Sequence, residues 1–410
     1  MRTAALRFLD RTLGALACVL FLPLILLLRG LRGAEPPARP RRVLFLKFFG
    51  MGSLLRAWPL FDAAKRRYPG AELHLLTFRA NRELASRLGI FDRLLTVDPA
   101  RGLRLVPQVL ARMGSLAAGR YELVVDLEFF SNFSAFLSLI TLAPVRVGYA
   151  RPGLGAWIQT RAVPYDASGP VSRVFASLAR SIDAPAVAAW PPPLASRPGD
   201  AERAARLLAE AGVGERERVI VVNPASSDLS LERRWPADRF AWVCDALEGR
   251  ARAVFVGAAG ERAAIDDVAS RLGRARVVNL AGRTDLGALL ALIRRASAVL
   301  TNDSGPAHLA DALGTPAVVL YGPESPVHYG LAGPGHVLFH LGLGCSPCLN
   351  VRNRKTAPCG GRNACMQLLP KEEVLEAVDA LLDGRPVPAE RRARWNGFEG
   401  AWRGRDWRSA

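Results

Sequence analysis

At 410 residues the chain is long enough for two domains with full cores, and half of its residues are apolar, which excludes a disordered polymer. The formal charge of +18, nearly all of it arginine, calls for an anionic partner. With no aromatic-basic array, zinc-finger spacing or recognition-helix pattern, nucleic acid is excluded in favour of an anionic membrane surface. Six cysteines in so long a chain do not read as a disulfide framework.

Between Arg11 and Arg29 lie 17 uncharged residues, TLGALACVLFLPLILLL, near the lower limit of a bilayer span, which takes about 20 apolar residues. Arginines follow the apolar stretch and no Ala-x-Ala site closes it, so a cleaved signal is disfavoured. Residues 1–33 read instead as a membrane anchor that either spans or dips in and returns at Pro23. Five arginines after the stretch against three before it place the body in the cytoplasm. Cys18 in this stretch and Cys244 in a helix pattern read as inert.

Residues 34–185 form the first domain. Its opening is a strand (42–47), a glycine turn (48–53), a helix (54–68) ending at Pro69-Gly70, and a second strand (72–78), which is the start of a Rossmann-like half. Further strands are expected at 94–97, 122–127 and 145–149, with helices at 81–88, 103–117, 131–140 and 172–181. Residues 186–200, rich in proline, connect to a second domain over 201–384. There a helix (201–212) leads into a strand (218–222) that ends at Asn223-Pro224-Ala225-Ser226-Ser227. Arg233-Arg234-Trp235-Pro236 follows, then a helix (237–247), a strand (253–256) and Gly257-Ala258-Ala259-Gly260-Glu261.

The densest signal is ASAVLTNDSGPAHLADALGTPAVVLYGPESP at 296–326: strand, turn, helix, strand, turn. Asp303 and Ser304 suit a strand end and an N-cap, Gly305 admits a ligand close to the backbone, and Pro306 fits a first-turn position. From Ala307 the helix offers free N–H groups and a positive dipole end to a phosphate or diphosphate, beyond the carboxyl end of a strand. The run Asp303-Ser304-Gly305-Pro306-Ala307-His308-Leu309-Ala310, with Ala312-Leu313-Gly314-Thr315-Pro316 and Tyr321-Gly322-Pro323, resembles the signature of glycosyltransferase family 9, the lipopolysaccharide heptosyltransferases and their relatives.

That resemblance implies a GT-B-like fold, two Rossmann-like domains facing a cleft, the second binding a nucleotide sugar and the first the acceptor. It implies donor contacts from Ser226, Ser227, Arg234, Asp303, Ser304, Gly305, Pro306, Ala307 and His308, and a role for Arg233 against the leaving diphosphate. Glu261, after a glycine turn, reads by Rossmann logic as a donor contact to a ribose hydroxyl, or equally as a helix N-terminal charge. Thr284 and Leu286 would line a base pocket. In the family a Gly-Asp pair in the first turn supplies the general base; here the pair is Gly52-Ser53, and serine is no base near neutral pH. Asp126 and Glu128, on one face at the end of a strand, are the replacement candidates, with Asp98 a third; the plainer reading is a helix cap and a solvated carboxylate.

Cys345, Cys348, Cys359 and Cys365 give C-x2-C-x10-C-x5-C, a spacing that serves either four zinc thiolates or reduced packing cysteines. The tail, 385–410, mixes tryptophan and arginine as membrane-surface segments do, or is a docked end. The expected protein is an inverting glycosyltransferase at the bacterial inner membrane, facing the cytoplasm. It needs no catalytic cofactor and moves a sugar, an ADP-heptose-like donor being favoured, to a membrane-linked glycolipid. The other reading is a catalytically inactive binding or scaffold protein of the same descent, marked by the serine at 53.

Overall fold

Strands buried on both faces are apolar at every position rather than at alternate ones. Among the residues that the computed structural model describes, twelve strands form two sheets, the central ones being such runs. The structure describes residues 10–21, 23, 27, 34–151, 154–184, 190, 192, 194–226, 230–273, 276–351, 356–385 and 387. The chain divides into two units, residues 1–195 and 196–410.

The first unit carries β1 (Arg42–Leu46), β2 (Glu72–Phe78), β3 (Arg93–Val97), β4 (Leu123–Asp126), β5 (Val145–Tyr149) and β6 (Arg161–Val163). Its helices are α1 (Ala15–Leu20), α2 (Met51–Arg56), α3 (Trp58–Arg67), α4 (Arg82–Arg87), α5 (Leu105–Ala117), α6 (Asn132–Ile140) and α7 (Val171–Ser181). All strand pairs are parallel, in the order β3-β2-β1-β4-β5-β6. The single helix expected over 54–68 is broken, because Pro59 lacks an N–H and must sit in the first turn of a new helix.

The second unit carries β7 (Val219–Asn223), β8 (Arg252–Phe255), β9 (Val278–Asn279), β10 (Ala298–Asn302), β11 (Ala317–Leu320) and β12 (Val337–Phe339). Its helices are α8 (Asp200–Glu210), α9 (Ala237–Ala246), α10 (Arg262–Ala269), α11 (Leu286–Arg295), α12 (Gly305–Leu313), α13 (Pro326–Tyr329), α14 (Ala364–Gln367) and α15 (Lys371–Leu382). The order β12-β11-β10-β7-β8-β9 is that of the first sheet read from the other edge, so both are doubly wound. The topological switch points, where such sheets receive ligands, lie between β1 and β4 and between β7 and β10.

The amino-terminal segment forms a π-helical turn over Asp10–Gly14 and the six-residue α1. Among the described residues no helix is long and apolar enough to cross a membrane. Residues 1–9, 22, 24–26 and 28–33 of the expected anchor, and the tail at 388–410, lie outside the described residues. What is described packs on the first unit. Asp10 accepts bonds from Ser131 Oγ (2.7 Å), Phe133 N (2.8 Å) and Asn132 N (3.3 Å), placing a carboxylate at the positive end of α6. Gly14 passes so close to Asn132 that an added Cβ would stand 2.9 Å from its Cβ. The Phe21 ring meets Phe136 edge-on at 5.1 Å.

Candidate functional site

At the β7/β10 switch point the side chains that close the strand ends are neutral amides and hydroxyls. Asn302, buried at the end of β10, accepts Trp235 N (3.0 Å) and donates to Pro224 O (2.9 Å) and Ala225 O (3.2 Å). Asn223, at the end of β7, donates to Val256 O (2.7 Å) and accepts from Ser304 Oγ (3.2 Å). These two side chains, which sequence reasoning passed over, fasten three strand ends and the loop after β7 into one frame. Their signal was an amide at the carboxyl end of each switch-point strand.

Above that frame α12 begins. Ser304 is its N-cap, but the hydroxyl is turned toward Thr301 Oγ1 (2.8 Å) and Asn223, and caps none of its own helix's N–H groups. Gly305 and Pro306 are half-exposed, while Ala307 and His308 are buried. The first turn thus keeps the positive field that favours an anion. Arg233 reaches the same place from the 3-10 turn Leu231–Arg233: its Nη1 lies 3.1 Å from Asp303 O and 3.3 Å from Asp303 Oδ2. Arg233, Asp303, Ser304 and the start of α12 are therefore brought together. A guanidinium and a helix N-terminus on one spot can stabilise a diphosphate that gains charge on leaving.

Other expected donor residues have local duties. Ser226 is fully buried, its hydroxyl donating to Ser230 O (3.1 Å) while Arg234 donates to Ser226 O (3.0 Å) and lies 3.4 Å from its Oγ. The pair clamps the loop after β7. Ser227 lies outside the described residues. Glu261 turns back on its own 3-10 turn and accepts Ala258 N at 2.8 Å, as a residue at a helix start does. Thr284 and Leu286 are half-buried beside the start of α11, which Asp285 caps through Ala288 N (2.7 Å). Burial and the neighbouring thiols push the Cys348 thiol up to about 12 and that of Cys365 to about 11. Cys345 and Cys359 are among those neighbours, yet among the described residues no three His, Cys, Asp or Glu side chains group as metal ligands.

The β1/β4 switch point is built from ion pairs instead. Glu128 Oε1 accepts Lys47 Nζ (2.8 Å), Phe48 N (2.6 Å) and Phe49 N (3.1 Å), so one oxygen holds the turn after β1. Asp126 is wholly buried: Oδ1 takes Glu128 N (3.0 Å), and Oδ2 takes Ser134 Oγ (2.8 Å), Arg151 Nη2 (3.0 Å) and Gln159 Nε2 (3.4 Å). Burial pushes its pKa up to about 6, against the pull of Arg151. Asp126, expected as a candidate base, is thus enclosed in a buried ion pair with both oxygens engaged, the arrangement of a structural group. Glu128 keeps Oε2, which makes no bond among the described residues. Gly52 is buried and Ser53 half-buried in the first turn of α2, at the same sheet edge. Asp98 accepts Ala100 N (3.1 Å) beyond β3 and closes its own loop.

Two doubly wound parallel units, one with an arginine and an open helix N-terminus at its switch point, define an α/β enzyme of the kind that handles phosphorylated ligands. The sequence matches the model of glycosyltransferase family 9 (heptosyltransferase) over residues 109–381, and the chain belongs to that family: it is a glycosyltransferase of the lipopolysaccharide heptosyltransferase kind. The lipopolysaccharide heptosyltransferase 3 of Escherichia coli is 24% identical over 350 residues, 81% of this chain and 96% of that one. In fold, the chain is like a family 9 glycosyltransferase from Veillonella parvula DSM 2008, with TM-score 0.69 and 20% identity over 85% of this chain and 98% of that one. It is also like the E. coli ADP-heptose lipopolysaccharide heptosyltransferase II, with TM-score 0.66 and 22% identity over 84% and 99%.

Proposed function

We propose that the chain transfers a sugar with inversion from a nucleotide-diphosphate donor to a lipopolysaccharide or related membrane-linked acceptor at the inner face of a bacterial membrane. The observation that carries this reading is the meeting of Arg233, Asp303 and the uncapped start of α12 over the Asn223–Asn302 frame. An ADP-linked heptose is the favoured donor, since one of the fold's neighbours is named for ADP-heptose. In a single displacement a base takes the acceptor proton, the acceptor oxygen attacks the anomeric carbon, and the diphosphate departs with the bonding pair. Arg233 and the helix field meet that charge as it develops, and no metal ion is invoked. Glu128, the carboxylate with an oxygen left over, is the base in this reading; the amino-terminal segment keeps the enzyme at the membrane where its acceptor resides.

The test is calorimetric titration of the full chain in detergent with ADP, UDP and GDP. Saturable binding of ADP, weakened at least tenfold in Arg233→Ala, is the expected result. Binding of none of the three by folded protein would move the weight to the scaffold reading that the serine at 53 invites. Glu128→Gln keeps an acceptor for Phe48 N and Phe49 N; transfer at an unchanged rate in that variant removes Glu128 as the base.

A further inference from the structure

Among the described residues the outward face of α5 has no partner, and it carries almost no polarity. Leu105, Val109 and Met113 turn inward against the core beneath α6, and Leu116 is fully buried. The one charged residue of the helix, Arg112, also turns inward and donates to Thr96 O at 3.0 Å. What remains outside, at helical spacing, is Val106, Pro107, Leu110, Ala111, Gly114 and Ala117. Val106 and Leu110 are 61% and 59% exposed, a state that costs a globular surface and that an interfacial helix turns to use.

The neighbourhood says what covers this face. From residue 99 to 121 the sequence holds arginines at 101, 104, 112 and 120 and no acidic residue, so positive charge stands at both ends of the apolar strip. Arg101 and Arg120 are exposed there, with Asp98 3.5 Å from Arg101 as its near counter-charge. The amino-terminal segment packs on the same core: Phe21 joins the cluster that takes up Val109 and Met113. It adds exposed Leu16, Val19 and Leu20 to the apolar surface, with no acidic residue between Asp10 and Glu35.

The geometry points to α5 as a second membrane contact, its Val106–Leu110 face pressed into the headgroup boundary of an anionic bilayer while Arg101 and Arg120 meet lipid phosphates. The inference rests on the reading that the acceptor is membrane-linked, and it assigns that contact to a helix of the body rather than to the amino-terminal segment alone. Two points of attachment fix the tilt of the first unit on the membrane where one would leave it to swivel.

The experiment is partition of the full chain onto vesicles of phosphatidylglycerol and phosphatidylethanolamine, with pure phosphatidylcholine as the neutral comparison. Wild type should bind the anionic vesicles. Val106→Glu/Leu110→Glu should lower the partition coefficient at least tenfold, Val106→Leu/Leu110→Met should retain it, and Arg101→Gln/Arg120→Gln should flatten its salt dependence. These positions are solvent-facing, so unchanged thermal melting accompanies the loss. The inference is overturned if the glutamate variant partitions like wild type, the amino-terminal segment then sufficing, or if wild type ignores anionic vesicles. It is equally overturned if the glutamates only dissolve a self-association seen by sedimentation. ADP titration of the same variants reports separately on the donor site: failure there sinks the transferase reading and leaves the vesicle result standing.

Discussion

The two sheets have one topology and two different switch points. At the ends of β7 and β10 the buried side chains Asn223, Thr301 and Asn302 are neutral, with half-buried Ser304 beside them and the Arg233–Asp303 pair in the loops beyond; between β1 and β4 the strand ends themselves carry Lys47 with Glu128 and Asp126 with Arg151. Neutral dipoles can be satisfied without adding to the field above them, so the start of α12 and the Arg233–Asp303 pair decide the charge that a ligand meets. Buried ion pairs fix geometry at a desolvation cost and add little net stability. The strand ends are thus kept electrically quiet in one unit, where an anion is to be received, and wired rigid in the other, where a turn must be held.

Breaking the wired side should have the largest effect. Arg151→Ala leaves Asp126 buried without its partner and should cost the first unit about 3–5 kcal/mol, read by chemical denaturation with hydrogen exchange to assign the unit, while ADP affinity is kept. Replacing both partners, as Asp126→Leu/Arg151→Met, should recover most of that loss; if it does not, the pair contributes more than it costs to bury. On the quiet side, Asn302→Asp keeps an acceptor for Trp235 N but removes two donors and puts a negative charge under the ligand. It should weaken ADP more than Asn302→Ala does, by about tenfold or about 1.4 kcal/mol. Equal losses in the two variants would mean that neutrality is not what the site selects.

The smallest effect sharpens the contrast through pH. Asp126 has a folded pKa pushed up by burial from 3.8 to about 6, so the native state binds the proton more tightly, and its contribution is best at low pH and declines as pH rises from about 4 to about 6. His340 in the second unit is pushed down by burial from 6.5 to about 4, so its contribution is complete above about 6.5 and is lost as pH falls toward 4. The gap in stability between wild type and Asp126→Asn should therefore move against wild type across that window, and the gap between wild type and His340→Gln should move in its favour. Parallel trends would show that these groups do not carry the dependence.

Both sheets were legible because doubly buried parallel strands are unbroken apolar runs, as in Arg42–Leu46 and Val219–Asn223, and because the glycine-proline turns punctuate them. The short edge strands β6 and β12 were missed: three residues at a sheet margin carry no periodicity of their own. The signature at 303–308 located the donor edge, but not that Ser304 would turn from its helix to Asn223. Nor could spacing tell that Asp126, on the same strand face as Glu128, would be closed over by Arg151 and Gln159 from 25 and 33 residues downstream. Burial is a property of what folds over a residue, and local sequence holds no record of it.

The bond from Asp10 to the start of α6 bears on how the chain may be cut. Trimming at residue 34, the obvious route to a form free of detergent, deletes the acceptor of Phe133 N and Ser131 Oγ and lifts Phe21 off Phe136 and off the cluster of Ala135, Leu139 and Ile158. The shortened protein would expose part of its own interior where the lost segment lay, and its poor solubility would be mistaken for a residual anchor. Fusion or excision should fall before Asp10 or leave that helix end a carboxylate of its own.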